Sequence, residues 1–209
     1  MTQGKFISIE GPDGSGKSSV IKQLANLLEA DGYELVLTRE PGGSPIAEQI
    51  RQVILDVNNT AMDPLTEAML YAAGRRQHLV DTILPGLAAG KLVLSDRFVD
   101  SSLAYQGVGR QLPLADIWSI NQLAIDGHLP DITLLLDLPA ELGLERIYRA
   151  QGQRQFDRLD QENLTFHQEV RQAFLDLAAK EDRIHLIDAN QPIEAVVADC
   201  YQTLQAIGI

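Results

Sequence analysis

Residues 11–18 read Gly-Pro-Asp-Gly-Ser-Gly-Lys-Ser and lie between an apolar run, Phe6–Glu10, and an amphipathic segment that begins at Lys17. The spacing G-x-x-x-x-G-K-[ST] is complete, and its setting between a strand and a helix restricts the fold more than any other stretch. Glycines let successive backbone N–H groups turn inward without Cβ clashes, and a helix start adds unpaired N–H groups and a positive dipole end. Such a loop encloses a phosphate. Lys17 has the reach for the β- and γ-phosphates of a nucleoside triphosphate, and the Ser18 hydroxyl suits Mg²⁺. The nucleotide-binding set is therefore Gly11, Pro12, Asp13, Gly14, Ser15, Gly16, Lys17, Ser18 and Ser19, with ATP or GTP as ligand. A glycine-rich turn without a ligand is the plain alternative, and the flanking strand and helix argue against it.

Apolar runs alternate with amphipathic segments along the rest of the chain. Strands are predicted over Lys5–Glu10, Glu34–Arg39, Lys91–Asp96, Asp131–Leu138 and Arg183–Asp188. Runs such as Leu92-Val93-Leu94 and Leu134-Leu135-Leu136 are continuous rather than alternating, as in strands buried on both faces. Helices are predicted over Lys17–Ala30, Ile46–Leu55, Pro64–Ile83, Leu114–Ile125, Leu142–Arg149, Glu162–Lys180 and Ile193–Ile207. The alternation implies an α/β fold: a parallel sheet with right-handed crossovers and helices on both faces. No linker or repeat interrupts it, so residues 1–209 are expected to form a single domain. Gln151–Asp160 (QGQRQFDRLD) has no apolar face and reads as a lid over about residues 150–160.

Charge narrows the partners. The chain carries 29 acidic and 17 basic residues, a net charge of −12, and a nucleic-acid binder needs a basic face instead. Yet twelve of the basic residues are Arg, and four of these fall between Arg146 and Arg158. Arginine suits bidentate phosphate recognition, so a small phosphorylated ligand is the expected partner. No apolar stretch approaches the ~20 residues of a membrane span, and no leader resembling a signal peptide precedes Phe6. With Cys200 as its lone cysteine, the chain is expected in the reducing cytoplasm. Cys200 lies in an amphipathic segment and is a poor candidate nucleophile.

Four further clusters sit near predicted strand ends, where open α/β sheets bind ligands. Thr38-Arg39-Glu40-Pro41-Gly42-Gly43 offers Arg39 as a phosphate clamp. Ser95-Asp96-Arg97-Phe98 pairs a metal-shell carboxylate with an arginine. Asp137, at the end of Leu134–Leu136, competes with Asp96 for the metal role. Tyr71 and Arg75 stand four apart on one helical face, an aromatic and a guanidinium suited to a planar base. Ser101 and Tyr105 are also four apart and are followed by Gln106. Taken singly, Tyr71 as a core residue and Arg39 or Arg75 as surface ion pairs are ordinary alternatives.

Over almost its whole length the chain resembles the thymidylate kinases, a family of P-loop nucleoside monophosphate kinases. The matching blocks are Phe6–Ser19, Thr38–Gly43 with Ala47 and Glu48, Asp96–Gly107 and Asp157–Gln172. The most specific is Asp96-Arg97-Phe98-x-x-Ser101-x-x-Ala104-Tyr105-Gln106, which related adenylate and guanylate kinases do not carry. The resemblance implies a P-loop NTPase fold with five parallel strands and a short lid, a homodimer, ATP with Mg²⁺, and dTMP as acceptor. By position, Asp13 would contact the sugar 3′-hydroxyl, and Arg39 and Arg97 the dTMP phosphate. Tyr71 would stack on thymine and Arg75 hydrogen-bond its edge. Ser101, Ser102, Tyr105 and Gln106 would line the sugar and base pocket. Ser18 and Asp96 would hold the metal. The family usually has Phe at Tyr71 and Glu at Asp160. The loop holds no basic residue besides Lys17, as in the bacterial subgroup whose lid supplies catalytic arginines. Arg149 and Arg154 are the candidates, joining Lys17 and Arg97 as catalytic residues. The competing classes are a deoxynucleoside kinase, which needs a carboxylate base, and a regulatory P-loop ATPase working through a protein partner. The GTPase branch is excluded by the lack of an Asn-Lys-x-Asp segment.

Overall fold

The computed structural model describes residues 4–149, 159 and 162–209. The five apolar runs form β1 (Lys5–Glu10), β2 (Leu35–Arg39), β3 (Leu92–Asp96), β4 (Ile132–Asp137) and β5 (Ile184–Asp188). All pair in parallel, in the order β2-β3-β1-β4-β5, so the expected five-stranded parallel sheet is the observed one. Ile7, Ile9, Val93, Leu94, Leu134 and Leu136 of the three inner strands are fully buried. The edge strands leave Leu37 and Leu186 half exposed, since one flank of each has no neighbouring strand.

The helices are α1 (Lys17–Ala30), α2 (Pro45–Leu55), α3 (Pro64–His78), α4 (Leu84–Ala88), α5 (Val99–Ser102), α6 (Leu114–Ile125), α7 (Ala140–Arg149), α8 (Leu164–Ala178) and α9 (Ile193–Ala206). On one face of the sheet, Val20, Leu24 and Leu28 of α1 and Val197, Cys200 and Leu204 of α9 pack with Ile7, Ile9 and Leu134. On the other, Phe6 and Val93 meet Leu79, Ile83, Phe98 and Ile125, and Leu135 meets Tyr105, Phe166 and Phe174. Each such fully buried Leu, Ile or Phe contributes about 1.5–3 kcal/mol. Burial pushes the Cys200 thiol up to about 12, which suits a core residue rather than a nucleophile.

Two wider helical turns were not anticipated. The helix expected over Pro64–Ile83 gives way at Leu79–Ile83 to a π-helical turn before α4. Pro85 has no N–H to donate to the carbonyl four residues back, and the turn shifts to i→i−5 bonding, with Leu84 N–H reaching the Leu79 carbonyl. A second π turn, Leu103–Gly109, continues α5 and carries Tyr105 and Gln106. Asn163 caps α8 by accepting from Phe166 N–H at 3.0 Å, so that helix starts later than expected. The expected lid lies outside the described residues except for Leu159.

Strand order decides where a ligand can sit. With β1 between β3 and β4, the chain builds β2 and β3 on one side and β4 and β5 on the other. Connections diverge at the carboxyl end of β1 and open a crevice there. The glycine-rich loop is what leaves β1 at that point.

Candidate active site

The loop turns tightly because neighbouring backbone leaves no room for side chains. Gly11 has φ +141°, and a Cβ on it would meet the Leu136 carbonyl oxygen at 2.4 Å. Gly14, at φ +78°, abuts Gly143 of α7, whose carbonyl oxygen a Cβ would approach to 2.3 Å. The Lys17 ammonium folds back to donate to the Gly11 and Pro12 carbonyls at 3.1 and 2.9 Å. Burial pushes that ammonium down to about 8, and Arg97 adds to the fall. Ser18 Oγ donates to Asp96 Oδ2 at 2.7 Å, across the β1–β3 pair that aligns Ile9 with Asp96. Asp137 is held elsewhere, by two bonds from Arg171 at 2.7 and 2.9 Å. Asp96 is thus the carboxylate beside Ser18.

Arg97 follows Asp96 with φ +73°, a backbone conformation that costs a non-glycine residue about 1–3 kcal/mol and persists only where its surroundings hold it. They do. Its Nη1 donates to the Gly11 carbonyl at 2.9 Å and to Ser101 Oγ at 3.0 Å. Its Nη2 donates to Asp13 Oδ1 at 2.6 Å and to Tyr105 Oη at 3.1 Å. The Tyr105 hydroxyl donates in turn to Asp13 Oδ2 at 2.7 Å. Burial alone would raise the Asp13 carboxyl, but Arg97, Lys17 and the Tyr105 hydroxyl outweigh it and hold it at about 2.

Behind this cluster stands Glu10, fully buried, accepting from Phe98 N–H at 2.7 Å and Ser101 Oγ at 2.6 Å. Burial pushes its carboxyl up to about 7, and Asp100 adds to the rise, against the pull of Arg97 and the two donors. Asp100 itself is neutralised by Arg183, at 2.7 and 2.8 Å.

The far wall is built on α3. Arg75 is buried and donates to Glu40 Oε2 at 2.7 Å, Ser102 Oγ at 2.9 Å, the Phe98 carbonyl at 3.1 Å and Asn121 Oδ1. Glu40 also meets His78 Nδ1 at 3.0 Å. Arg39 is half exposed and ion-paired with Glu48 at 2.9 Å. Together these elements enclose a cavity of about 630 Å³. From the loop side, Asp13, Gly14, Gly16, Lys17, Ser18 and Ser19 line it; from the opposite side, Arg39, Tyr71, Arg75, Asp96 and Arg97, with Ser101, Ser102, Tyr105 and Gln106.

A thymidylate kinase family model matches residues 9–200. The chain belongs to the thymidylate kinase family. It is 58% identical over 203 residues to the thymidylate kinase of Latilactobacillus sakei, covering 96% of this chain and 94% of that one. It is 52% identical over 206 residues to that of Halalkalibacterium halodurans, covering 98% of both. The crystal structure of thymidylate kinase from Ehrlichia chaffeensis superposes with a TM-score of 0.78 at 33% identity, covering 97% of this chain and 99% of that one.

Seen beside the thymidylate kinase pattern, the acceptor-side residues expected from the sequence share one cavity. Gly11, Pro12 and Ser15 shape the loop without facing that cavity. Arg149 points to Glu145 at 2.6 Å on the exposed face of α7, whereas Arg146 lines the cavity and donates to the Gly14 carbonyl at 3.3 Å. Arg154 lies outside the described residues. Sequence reasoning missed Glu10, Glu40 and the Gly14–Gly143 contact. A carboxylate that ends an apolar run, as Glu10 does, was the available signal for one of them.

Glu10 makes stability pH-dependent in a defined direction. Its folded value of about 7 exceeds the ordinary 4.5, so between those values the folded state holds a proton the unfolded state lacks. The contribution is complete below about pH 4.5 and is lost as pH rises through 7. In urea titrations, wild type should lose on the order of 1–2 kcal/mol more than Glu10→Gln between about pH 5 and about pH 7.5. An equal or smaller loss in wild type would contradict the assignment.

Proposed function

We propose that the chain transfers the γ-phosphoryl group of ATP to dTMP, giving ADP and dTDP, a step of dTTP biosynthesis. The observation that carries this reading is the shared cavity in which Asp13, Gly14 and Gly16–Ser19 of the loop face Arg97 and the Tyr71–Arg75 wall. ATP lies along the loop, with Lys17 turning from the Gly11 and Pro12 carbonyls to bridge its phosphates. The acceptor phosphate engages Arg97 and Arg39. Thymine lies between Tyr71 and the Ser101–Gln106 side, with Arg75 at its edge. Asp13, held ionised, is an acceptor for the sugar 3′-hydroxyl.

The acceptor is itself a phosphate, largely dianionic at neutral pH because its second pKa is about 6. It needs no general base. A nucleoside acceptor would need one, yet Asp13, Glu10 and Glu40 are all engaged by arginine or hydroxyl donors. The obstacle is repulsion between two polyanions, which Lys17 and Arg97 offset by positive charge placed before the reaction begins. Ser18 and Asp96 offer hard oxygen donors of the kind Mg²⁺ takes alongside phosphate oxygens and water. When bound, Mg²⁺ supplies further neutralisation of the triphosphate. Arg146 joins Arg149 and Arg154 as the arginine set of the donor side, and its bond to the Gly14 carbonyl favours it over Arg149.

With ATP and Mg²⁺, kcat/KM should rank dTMP first, dUMP below it because one methyl is worth roughly 1–3 kcal/mol, UMP lower again, and dCMP and dGMP poorest. Arg97→Ala should raise KM for dTMP more than KM for ATP. If dGMP or UMP equals dTMP, the acceptor assignment fails.

The homodimer reading draws on apolar side chains left exposed on neighbouring helices: Val53 on α2, Met69 on α3 and Leu123, 83% exposed, on α6. A two-fold interface would cover them. Sedimentation should give a dimer for wild type and a monomer for Leu123→Asp; a monomeric wild type would refute this reading.

A further inference from the structure

Glu67 lies one helical turn before Tyr71 and two before Arg75, on the same side of α3. It is buried, with 1% of its surface exposed, and takes no part in the mechanism above. Its Oε1 accepts from Gln106 Nε2 at 2.8 Å. Arg110, at the end of the second π turn, approaches Glu67 Oε2 at 3.3 Å. Arg110 is itself held by Glu162 and by the Phe166 ring, 5.2 Å from its guanidinium carbon. Burial alone would lower the Arg110 guanidinium, but Glu67 and Glu162 raise it, so a cation stays beside Glu67.

The consequence falls on Gln106, which is buried but lines the cavity. A primary amide can donate only from its nitrogen. A carboxylate at Nε2 therefore fixes which end of the amide is which and leaves Oε1 for the cavity. Thymine and uracil present an imide N3–H, a donor. Cytosine presents an unprotonated N3, an acceptor, and would meet the oxygen with another lone pair. Turning the amide over to suit cytosine would set Oε1 against the Glu67 carboxylate.

We propose that Glu67 is a specificity-determining positioning residue: by locking the Gln106 amide, it restricts the acceptor to imide pyrimidines and rejects aminopyrimidines. This rests on the dTMP reading above. Arg110 keeps the Glu67 carboxylate in place, and Glu67 touches no substrate.

The test compares kcat/KM for dTMP and dCMP in wild type, Glu67→Gln and the exchanged pair E67Q/Q106E. A glutamine at 67 can offer either end of its amide, so Gln106 is no longer locked. The dTMP-to-dCMP ratio should fall about tenfold or more, carried by acceptor KM, with KM for ATP unchanged. In the exchanged pair the amide at 67 donates to the carboxylate at 106, which still presents an oxygen to the base, so the ratio should return. A folded Glu67→Gln whose ratio stays within about twofold of wild type overturns the proposal. Should that variant not fold, the exchanged pair decides alone: a retained ratio supports the lock and a lost one overturns it. Should neither fold, wild type decides by titration with 3-deaza-dTMP, which carries C–H in place of the imide N3–H without added bulk: binding weaker by about tenfold or more supports the lock, and binding equal to that of dTMP overturns it. A wild type that does not phosphorylate dTMP defeats the acceptor reading itself, a separate failure.

Discussion

The Asp13–Arg97 ion pair, 2.6 Å long, is the contact on which the site's geometry rests. Asp13 belongs to the glycine-rich loop and Arg97 to the turn after β3, so the pair ties one side of the cavity to the other. The remaining Arg97 bonds, to the Gly11 carbonyl, Ser101 and Tyr105, extend the tie into α5 and the π turn. Charge-assisted bonds of this length are among the stronger ones, and together they offset the unfavourable φ of Arg97. The two sides of the cavity are thereby set at a fixed separation before any ligand enters, and such pre-set geometry is where much of a phosphoryl-transfer enzyme's advantage lies.

A second layer of buried carboxylates holds that arrangement from behind. Glu10 fixes Phe98 N–H and Ser101, Glu40 fixes Arg75 and His78, and Glu67 fixes Gln106. An acidic chain is an economical source of such groups. Its net charge of −12 is compatible with binding polyanions because five arginines, Arg39, Arg51, Arg75, Arg97 and Arg146, line one cavity, while several carboxylates hold arginines in place.

How much of this could be read from residues alone depended on the range of the interaction. Continuous apolar runs such as Leu134–Leu136 identify the inner strands because burial on both faces leaves no polar positions. The loop motif is local, and so is the four-residue spacing of Tyr71 with Arg75. Asp96 and Asp137 end equivalent runs and stay indistinguishable until Ser18 and Arg171 are seen beside them. Glu40 and Glu67 carry no local sign of burial, since the arginines that let them stay buried lie 35 and 43 residues away. The π turns escape periodicity because i→i−5 bonding shifts the spacing on which helix prediction relies. Arg146 and Arg149 differ only by which side of α7 meets the loop, a matter settled by the Gly14–Gly143 approach.

Asp13 and Arg97 are joined as one unit across the two sides of the cavity. A double-mutant cycle with Asp13→Asn and Arg97→Ala, read as kcat/KM for dTMP, tests it most directly. The double variant should be little worse than Arg97→Ala alone, a coupling of about 1–3 kcal/mol. Losses that add to within about 0.5 kcal/mol would show that the two residues work independently and contradict it.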